Sequence, residues 1–247
     1  MKKVIIPIAM ILLSILSNAQ NATEIVSNAY EKVKGESSYT EMTMKIIRPS
    51  WDRSISMKSW SKGMKYSMVY ITEPAQERGQ VFMKRDNEMW NWQPKINRIV
   101  KLPPSMMMQS WMGSDFTNDD LINEASIVND YNHKILGSEE VNGKDCYKIE
   151  FIPKENAPVV WGKLISWISK TGYHMLKTEY YDEEDYLSKT ELGSEIKMMD
   201  GEKITTKFTT IPADKEGNKT VLIMEDVNFD YDVEKEFFSK MNMKRVK

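Results

Sequence analysis

Only two histidines, His133 and His174, and one cysteine, Cys146, are present in 247 residues. Neither histidine stands at ligand spacing from the other or from the cysteine, so a zinc site lacks its geometry. The G-x-S-x-G elbow, the phosphate-binding G-x-x-x-x-G-K-[ST] loop, H-E-x-x-H and G-x-G-x-x-G are all missing. Serine hydrolase, P-loop, zincin and dinucleotide chemistry therefore have no starting point. Carboxylates cluster twice. Asp182-Glu183-Glu184-Asp185 has an oxygen spacing that fits no EF-hand loop and reads as a solvated turn. Asp115, Asp119 and Asp120 read as residues of a helix N-terminus, where negative charge meets the positive end of the dipole. No catalytic residue, metal or cofactor is expected. Lipid hydrolysis ranks last among the readings, since no serine is paired with a base.

What the sequence concentrates instead is soft apolar and aromatic bulk: Trp60, Trp90, Trp92, Met106, Met107, Met108, Trp111, Met112 and Phe116 all fall within one third of the chain. Alternation in Glu88-Met-Trp-Asn-Trp-Gln93 puts Trp90 and Trp92 on one face of a strand, and the next run sets Ile99 and Lys101 against Arg98, Val100 and Leu102. The two indole rings are expected to face the methionine-rich stretch. Methionine suits a wall that must accept variable apolar partners, because its unbranched thioether repacks at low cost. Each buried methylene contributes about 0.8 kcal/mol, so a carrier of acyl chains needs a loose, partly open pocket if the cargo is to leave.

These side chains need elements to hold them. Ala22, Ile25, Val26, Ala29, Tyr30 and Val33 recur at three- and four-residue spacing, with Asn21 as cap and Gly35 as stop, which predicts one amphipathic helix. From Tyr39 the period changes to two: Thr40, Met42, Met44 and Ile46 share a face, as do Met64, Tyr66, Met68 and Tyr70. Eleven further runs read as strands: 53–61, 79–84, 88–92, 97–102, 134–141, 144–152, 163–169, 174–181, 187–199, 203–211 and 220–231. Asn142-Gly143, Thr171-Gly172, Asp200-Gly201 and Glu216-Gly217-Asn218 supply the turns of a meandering antiparallel sheet. Long βαβ crossovers are missing, so the class is mainly β (α+β). Between Leu102 and Leu121, Pro103 and Pro104 end a strand, and Thr117 with Asp120 caps a short helix containing Leu121 and Ile122. A long loop this apolar has to cover something.

The first nineteen residues stand apart. Lys2 and Lys3, the apolar run Val4 to Leu16, and Ser17-Asn18-Ala19 before Gln20 form a secretory signal with cleavage after Ala19, and residues 20–247 read as one domain. The run is too short to span a bilayer and no cysteine follows it to carry a lipid anchor. A lone cysteine leaves no intramolecular disulfide, and Cys146 reads as a small buried residue of a strand. With 34 basic and 36 acidic residues spread without a block, nucleic acid is not an expected partner. A soluble, monomeric, periplasmic protein is expected.

The order of parts then resembles a known family. A signal peptide and one helix precede Trp60-Ser-Lys-Gly-Met-Lys-Tyr66, a strand ending Thr72-Glu-Pro74, Asp86 to Pro94, and Ile96 to Leu102. This is similar to the outer-membrane lipoprotein-sorting (LolA/LolB-like) family. The likeness is greatest to its larger branch, whose W-x-x-x-P-x-x-x-R and M-x-x-S-W-M-G-S-D-F-x-N-D-D-L segments stand here as Trp90 to Arg98 and Met107 to Leu121. The resemblance implies an incomplete, strongly curved antiparallel β-barrel with helices lidding a hydrophobic cavity. It also implies a non-enzymatic carrier of acylated lipoprotein or another lipid between an inner-membrane exporter and an outer-membrane acceptor. The residues expected to line or cover the cavity are Trp60, Tyr66, Trp90, Trp92, Ile99, Leu102, Met106, Met107, Met108, Trp111, Met112, Phe116 and Leu121. Where the smaller carriers place a functional arginine, this sequence has Lys62-Gly63. A lipid- or peptide-sensing module on the same fold is the alternative.

Overall fold

A computed structural model describes residues 21–63, 65–86, 88–123, 127–157 and 159–247. The signal sequence, its cleavage site and Met64 lie outside the described residues, as do the side chains of Leu121 and Ile122.

Helix α1 (Ala22–Lys34) begins where Asn21 accepts a hydrogen bond from the Thr23 amide and ends at Gly35, which adopts a positive φ of 60°. Each of the thirteen predicted strand segments overlaps an observed strand. The first six are β1 (Ser37–Arg48), β2 (Trp51–Lys62), β3 (Tyr66–Glu73), β4 (Val81–Arg85), β5 (Glu88–Gln93) and β6 (Arg98–Lys101). A connecting segment with α2 (Asn118–Asn123) follows. The other seven are β7 (Tyr131–Val141), β8 (Lys144–Pro153), β9 (Lys163–Ser169), β10 (Met175–Tyr181), β11 (Leu187–Met199), β12 (Glu202–Pro212) and β13 (Lys219–Phe229). The hairpin turns at Asn142-Gly143 and Asp200-Gly201 have positive φ at both central residues, as a type I′ turn requires.

All strands join one antiparallel sheet in the order β6-β5-β4-β3-β2-β1-β13-β12-β11-β10-β9-β8-β7. The two meanders grow outward from the central β1–β13 pair, so β6 and β7 end up as opposite edges and the barrel is incomplete. One consequence follows from topology alone. The chain leaves the sheet at β6 and re-enters at β7, the opposite edge, so Leu102 to Asn123 lead away from one edge toward the other. A single cavity touches strands from both halves of the sheet, which therefore curls around it. At Gly193 the backbone passes so close to the Met175 carbonyl oxygen that a Cβ would lie 2.2 Å from it, so the approach requires glycine. Helix α1 lays Ala22, Ile25, Val26 and Ala29 against Ile149, Phe151, Leu164 and Ile168, closing the β7–β9 side of the hollow. Cys146 is buried beside Trp167 and Leu176, and burial raises its thiol pKa.

Candidate binding cavity

Strand alternation assigns each side chain to one of two faces. In β1 the inner positions are Ser38, Thr40, Met42, Met44, Ile46 and Arg48; in β2 they are Arg53, Ile55, Met57, Ser59 and Ser61. The inner face encloses a cavity of about 260 Å³ whose apolar wall includes Met42, Met44, Met57, Val69, Phe82 and Met89. Trp111 and Phe116 close it from the crossing segment, and Tyr30 and Val33 border it from α1. This is a little under the roughly 300–1,000 Å³ that encloses a drug-sized ligand.

The crossing segment is a folded lid. A 3₁₀ turn at Pro104–Met106 leads to a tight loop in which Met112 and Gly113 both take positive φ. The Trp111 amide donates to the Phe116 carbonyl at 2.8 Å, the Asn118 side chain to the Met106 carbonyl at 2.9 Å, and the Asp119 amide to the Met107 carbonyl at 2.9 Å. Helix α2 opens with a reciprocal capping box. The Thr117 amide donates to Asp120 Oδ2 at 2.7 Å, and the Asp120 amide to Thr117 Oγ1 at 3.1 Å. The S-W-M-G-S-D-F-x-N-D-D segment is thus the set of residues this loop needs to close on itself while turning Trp111 inward.

Three cations on the sheet fasten the lid. Arg48 makes a forked pair with Asp115, Nη1 to Oδ2 at 2.9 Å and Nη2 to Oδ1 at 3.1 Å, and also reaches the Gly113 carbonyl. Thr220 adds a 2.7 Å hydrogen bond to the same carboxylate. Arg53 donates to the Met112 carbonyl and pairs with Glu77 at 2.9 Å. On the far wall Lys189 pairs with Asp120, which also accepts from Trp161 Nε1 at 3.2 Å. The Lys189 ammonium is ringed by Tyr180, Trp161 and Phe116, whose centroids lie 4.5, 4.9 and 5.8 Å away. The lid is therefore tied to both halves of the sheet. Tyr131 borders the same region, and its pKa is raised by burial first and by Asp119, Asp130 and Asp120 next.

The sequence reading missed Arg48, Arg53 and Lys189. Their signal was phase: Arg48 continues the inner series of β1, and Arg53 begins that of β2. A charged residue in step with an apolar face needs a partner. Asp115 likewise serves as an arginine's counter-ion, not as a helix cap.

Several expected cavity residues are elsewhere. Trp60, Trp90 and Trp92 do not face the methionine lid; they point to the outer face, packed with Met68, Val81 and Met83. Their cover is the C-terminal segment, through Val233, Phe238 and Met243. Ile99 belongs to this outer cluster too, and Tyr66 borders the cavity while packing its ring on Phe238 at 5.6 Å. The physical reason is that Met89, the residue between Glu88 and Trp90, takes the inner side, so both indoles must take the outer one. Leu102, Met107 and Met112 do join the inner cluster with Trp111 and Phe116. Met106 is half-buried, and Met108 is 53% exposed, not covering the cavity. Lys62, at the smaller carriers' arginine position, donates to the Val233 carbonyl at 2.6 Å and so holds the outer cover.

The remaining candidates are satisfied locally. His133 bonds Thr23 Oγ1 at 3.1 Å and the Ile127 carbonyl at 2.9 Å. Asp182 accepts from the Glu184 and Tyr186 amides, which makes the acidic run a turn.

A family model described as "uncharacterized protein" matches residues 63–245. The chain belongs to this family. No curated protein matches it. Among solved structures, a DUF1329 family protein from Desulfovibrio piger is 25% identical, with a TM-score of 0.82 over 90% of this chain and 97% of the other. A LolA superfamily protein from Nitrosomonas europaea is 25% identical, with a TM-score of 0.78 over 90% and 99%. A putative outer membrane lipoprotein-sorting protein domain from Vibrio parahaemolyticus is 22% identical, with a TM-score of 0.80 over 91% and 98%. The open, curved sheet is thus a LolA-like fold, as the residue order suggested. Among the described residues no helix is long and apolar enough to cross a membrane.

Proposed function

We propose that the protein is a periplasmic carrier that takes an acyl chain of a lipoprotein or other lipid into the cavity and hands it between membrane partners. The observation that carries this reading is the hollow itself, an unfilled space walled by methionines and roofed by a lid that ion pairs hold in place. Each methylene buried there contributes about 0.8 kcal/mol, and a small, partly open hollow encloses only part of a chain. Cargo held that loosely can be captured and released. The lipoprotein-sorting description of the Vibrio parahaemolyticus domain points the same way, and an inner-membrane exporter and an outer-membrane acceptor are the corresponding donor and receiver.

The test is to purify the protein from cells, extract it with organic solvent and identify bound lipid by mass spectrometry. An acylated lipid at near-stoichiometric amount is expected in the wild type. Trp111→Asp places a carboxylate on the cavity roof and should strip most of it. Lipid content unchanged by that substitution, with the variant folded, contradicts the proposal.

A further inference from the structure

The C-terminal segment that covers the outer face carries positive charge with no acid among it. Residues 237–247 hold Lys240, Lys244, Arg245 and Lys247 and neither aspartate nor glutamate. Two 3₁₀ turns, Lys235–Phe237 and Asn242–Lys244, shape the segment, and Val233, Phe238 and Met243 anchor it on the cluster of Trp60, Trp90 and Trp92. With those anchors turned to the sheet, Lys240, Met241, Lys244 and Arg245 are left on the solvent side, and all four are exposed. The Lys240 and Lys244 ammonium groups lie over the Trp90 and Trp92 rings, which places both charges on one strip. Met241 stands between them with 62% of its surface exposed.

Covering an indole does not by itself call for unpaired cations. Trp167 on β9 also lies under two lysines, Lys148 and Lys177 at 4.8 and 4.2 Å, but each of these has a glutamate: Lys148 pairs with Glu139 at 3.1 Å and Lys177 with Glu179 at 2.7 Å. Among the described residues, Lys240, Lys244 and Arg245 have no such ion pair. The acids near the strip are engaged by other cations: Glu88 by Lys101, Asp86 by Lys65 at 3.8 Å and Glu234 by Lys62 at 3.9 Å. Glu236 stands beside Glu234 at the far end of the segment. At the near end, Lys247 shares the rim of a shallow hollow with Lys58, Arg78 and one carboxylate, Glu73. Like charges left side by side repel, so the strip is suited to a surface that supplies the anions. An apolar thioether between exposed cations matches a layered partner, with anionic headgroups outside and hydrocarbon beneath.

We propose that the C-terminal strip docks the protein on an anionic phospholipid surface, with Lys240, Lys244 and Arg245 among the headgroups and Met241 dipping to the acyl boundary. The strip is on the face of the sheet opposite the cavity. The inference therefore goes beyond the carrier reading and does not depend on what the cavity holds.

The test is co-sedimentation of the purified protein with vesicles of phosphatidylglycerol and phosphatidylcholine in equal parts, and with phosphatidylcholine alone. Binding is expected to the anionic vesicles only, and it should weaken steeply between about 0.05 M and about 0.5 M salt as screening shortens the reach of the charges. A cation near an anionic surface strengthens binding about fivefold, so Lys240→Gln/Lys244→Gln/Arg245→Gln should lose about a hundredfold. Lys134→Gln/Lys203→Gln/Lys215→Gln removes the same charge at exposed positions elsewhere, and should stay within about threefold of the wild type, because distant charges are screened. A bimane label on Met241→Cys should shift to the blue on anionic vesicles, whereas one on Met198→Cys, an equally exposed site on β11, should not; Cys146 is buried and out of the label's reach. No binding to anionic vesicles overturns the inference, as do equal losses in the two triple variants at wild-type melting, or a shift at position 198 and none at 241. Retention on immobilised polyglutamate without vesicle binding assigns the strip to an acidic protein and overturns it as well. None of these outcomes alters the lipid content that tests the carrier reading.

Discussion

The two faces of the sheet use similar side chains to opposite ends. Each face carries methionines and at least one tryptophan on β1–β5 or its cover, and each is covered by a segment outside the sheet. On the outer face the C-terminal segment packs directly onto the aromatic residues. Phe238 is fully buried, Phe237 packs on Trp60 at 5.4 Å, and Lys240 and Lys244 lie over the Trp90 and Trp92 rings at 5.1 and 5.0 Å. On the inner face the cover leaves a void and is tied down by Arg48, Arg53 and Lys189. Large rigid rings close a surface, whereas methionines under an ion-paired roof keep one open. The same composition thus serves stability on one side and capture on the other, and the covering segment decides which.

The comparison can be broken from the outer side first. Phe238→Ala removes a fully buried ring and should cost about 3–5 kcal/mol of stability. Denaturant unfolding should show that loss, while ligand affinity of the folded fraction stays at the wild-type value. On the inner side, Arg48→Met leaves the buried Asp115 carboxylate without its forked partner, and should cost about 3 kcal/mol. Hydrogen exchange should locate the loss in residues 104–120, and adding Asp115→Ala should recover part of it. A smaller effect comes from the histidines. Burial is the first cause that lowers the pKa of both His133 and His174, with Lys154 adding to it at the former and Lys32, Lys144 and Lys203 at the latter. The unfolded chain then binds protons more readily, so the histidine contribution is fully present above about pH 6.5 and stability falls as the pH drops through that value. Melting temperatures at pH 7.5 and 5.5 should differ less in the His133→Gln/His174→Gln double variant than in the wild type.

Local features were legible before any coordinates. Asn21 and Gly35 bound α1, Asn142-Gly143 and Asp200-Gly201 make tight turns, and Thr117 with Asp120 forms a capping box, because each depends on neighbours in the chain. Period two also placed Trp90 and Trp92 together. It could not say on which side, since alternation defines two faces and not which of them is roofed by what. That depended on Val233, Phe238 and Met243, non-periodic residues more than 130 positions away. The lid was readable as an apolar cover from composition, but its fastening to Arg48 and Lys189 is long-range pairing that only the curled sheet creates.

The most direct measurement is quenching of single indoles by a doxyl-labelled stearate titrated into the delipidated protein. Comparing the wild type with Trp111→Phe, Trp90→Phe and Trp92→Phe should show that most of the quenching is lost with Trp111 and none with Trp90 or Trp92. Quenching that persists in Trp111→Phe and disappears in Trp90→Phe or Trp92→Phe would place the chain on the outer face and contradict the account.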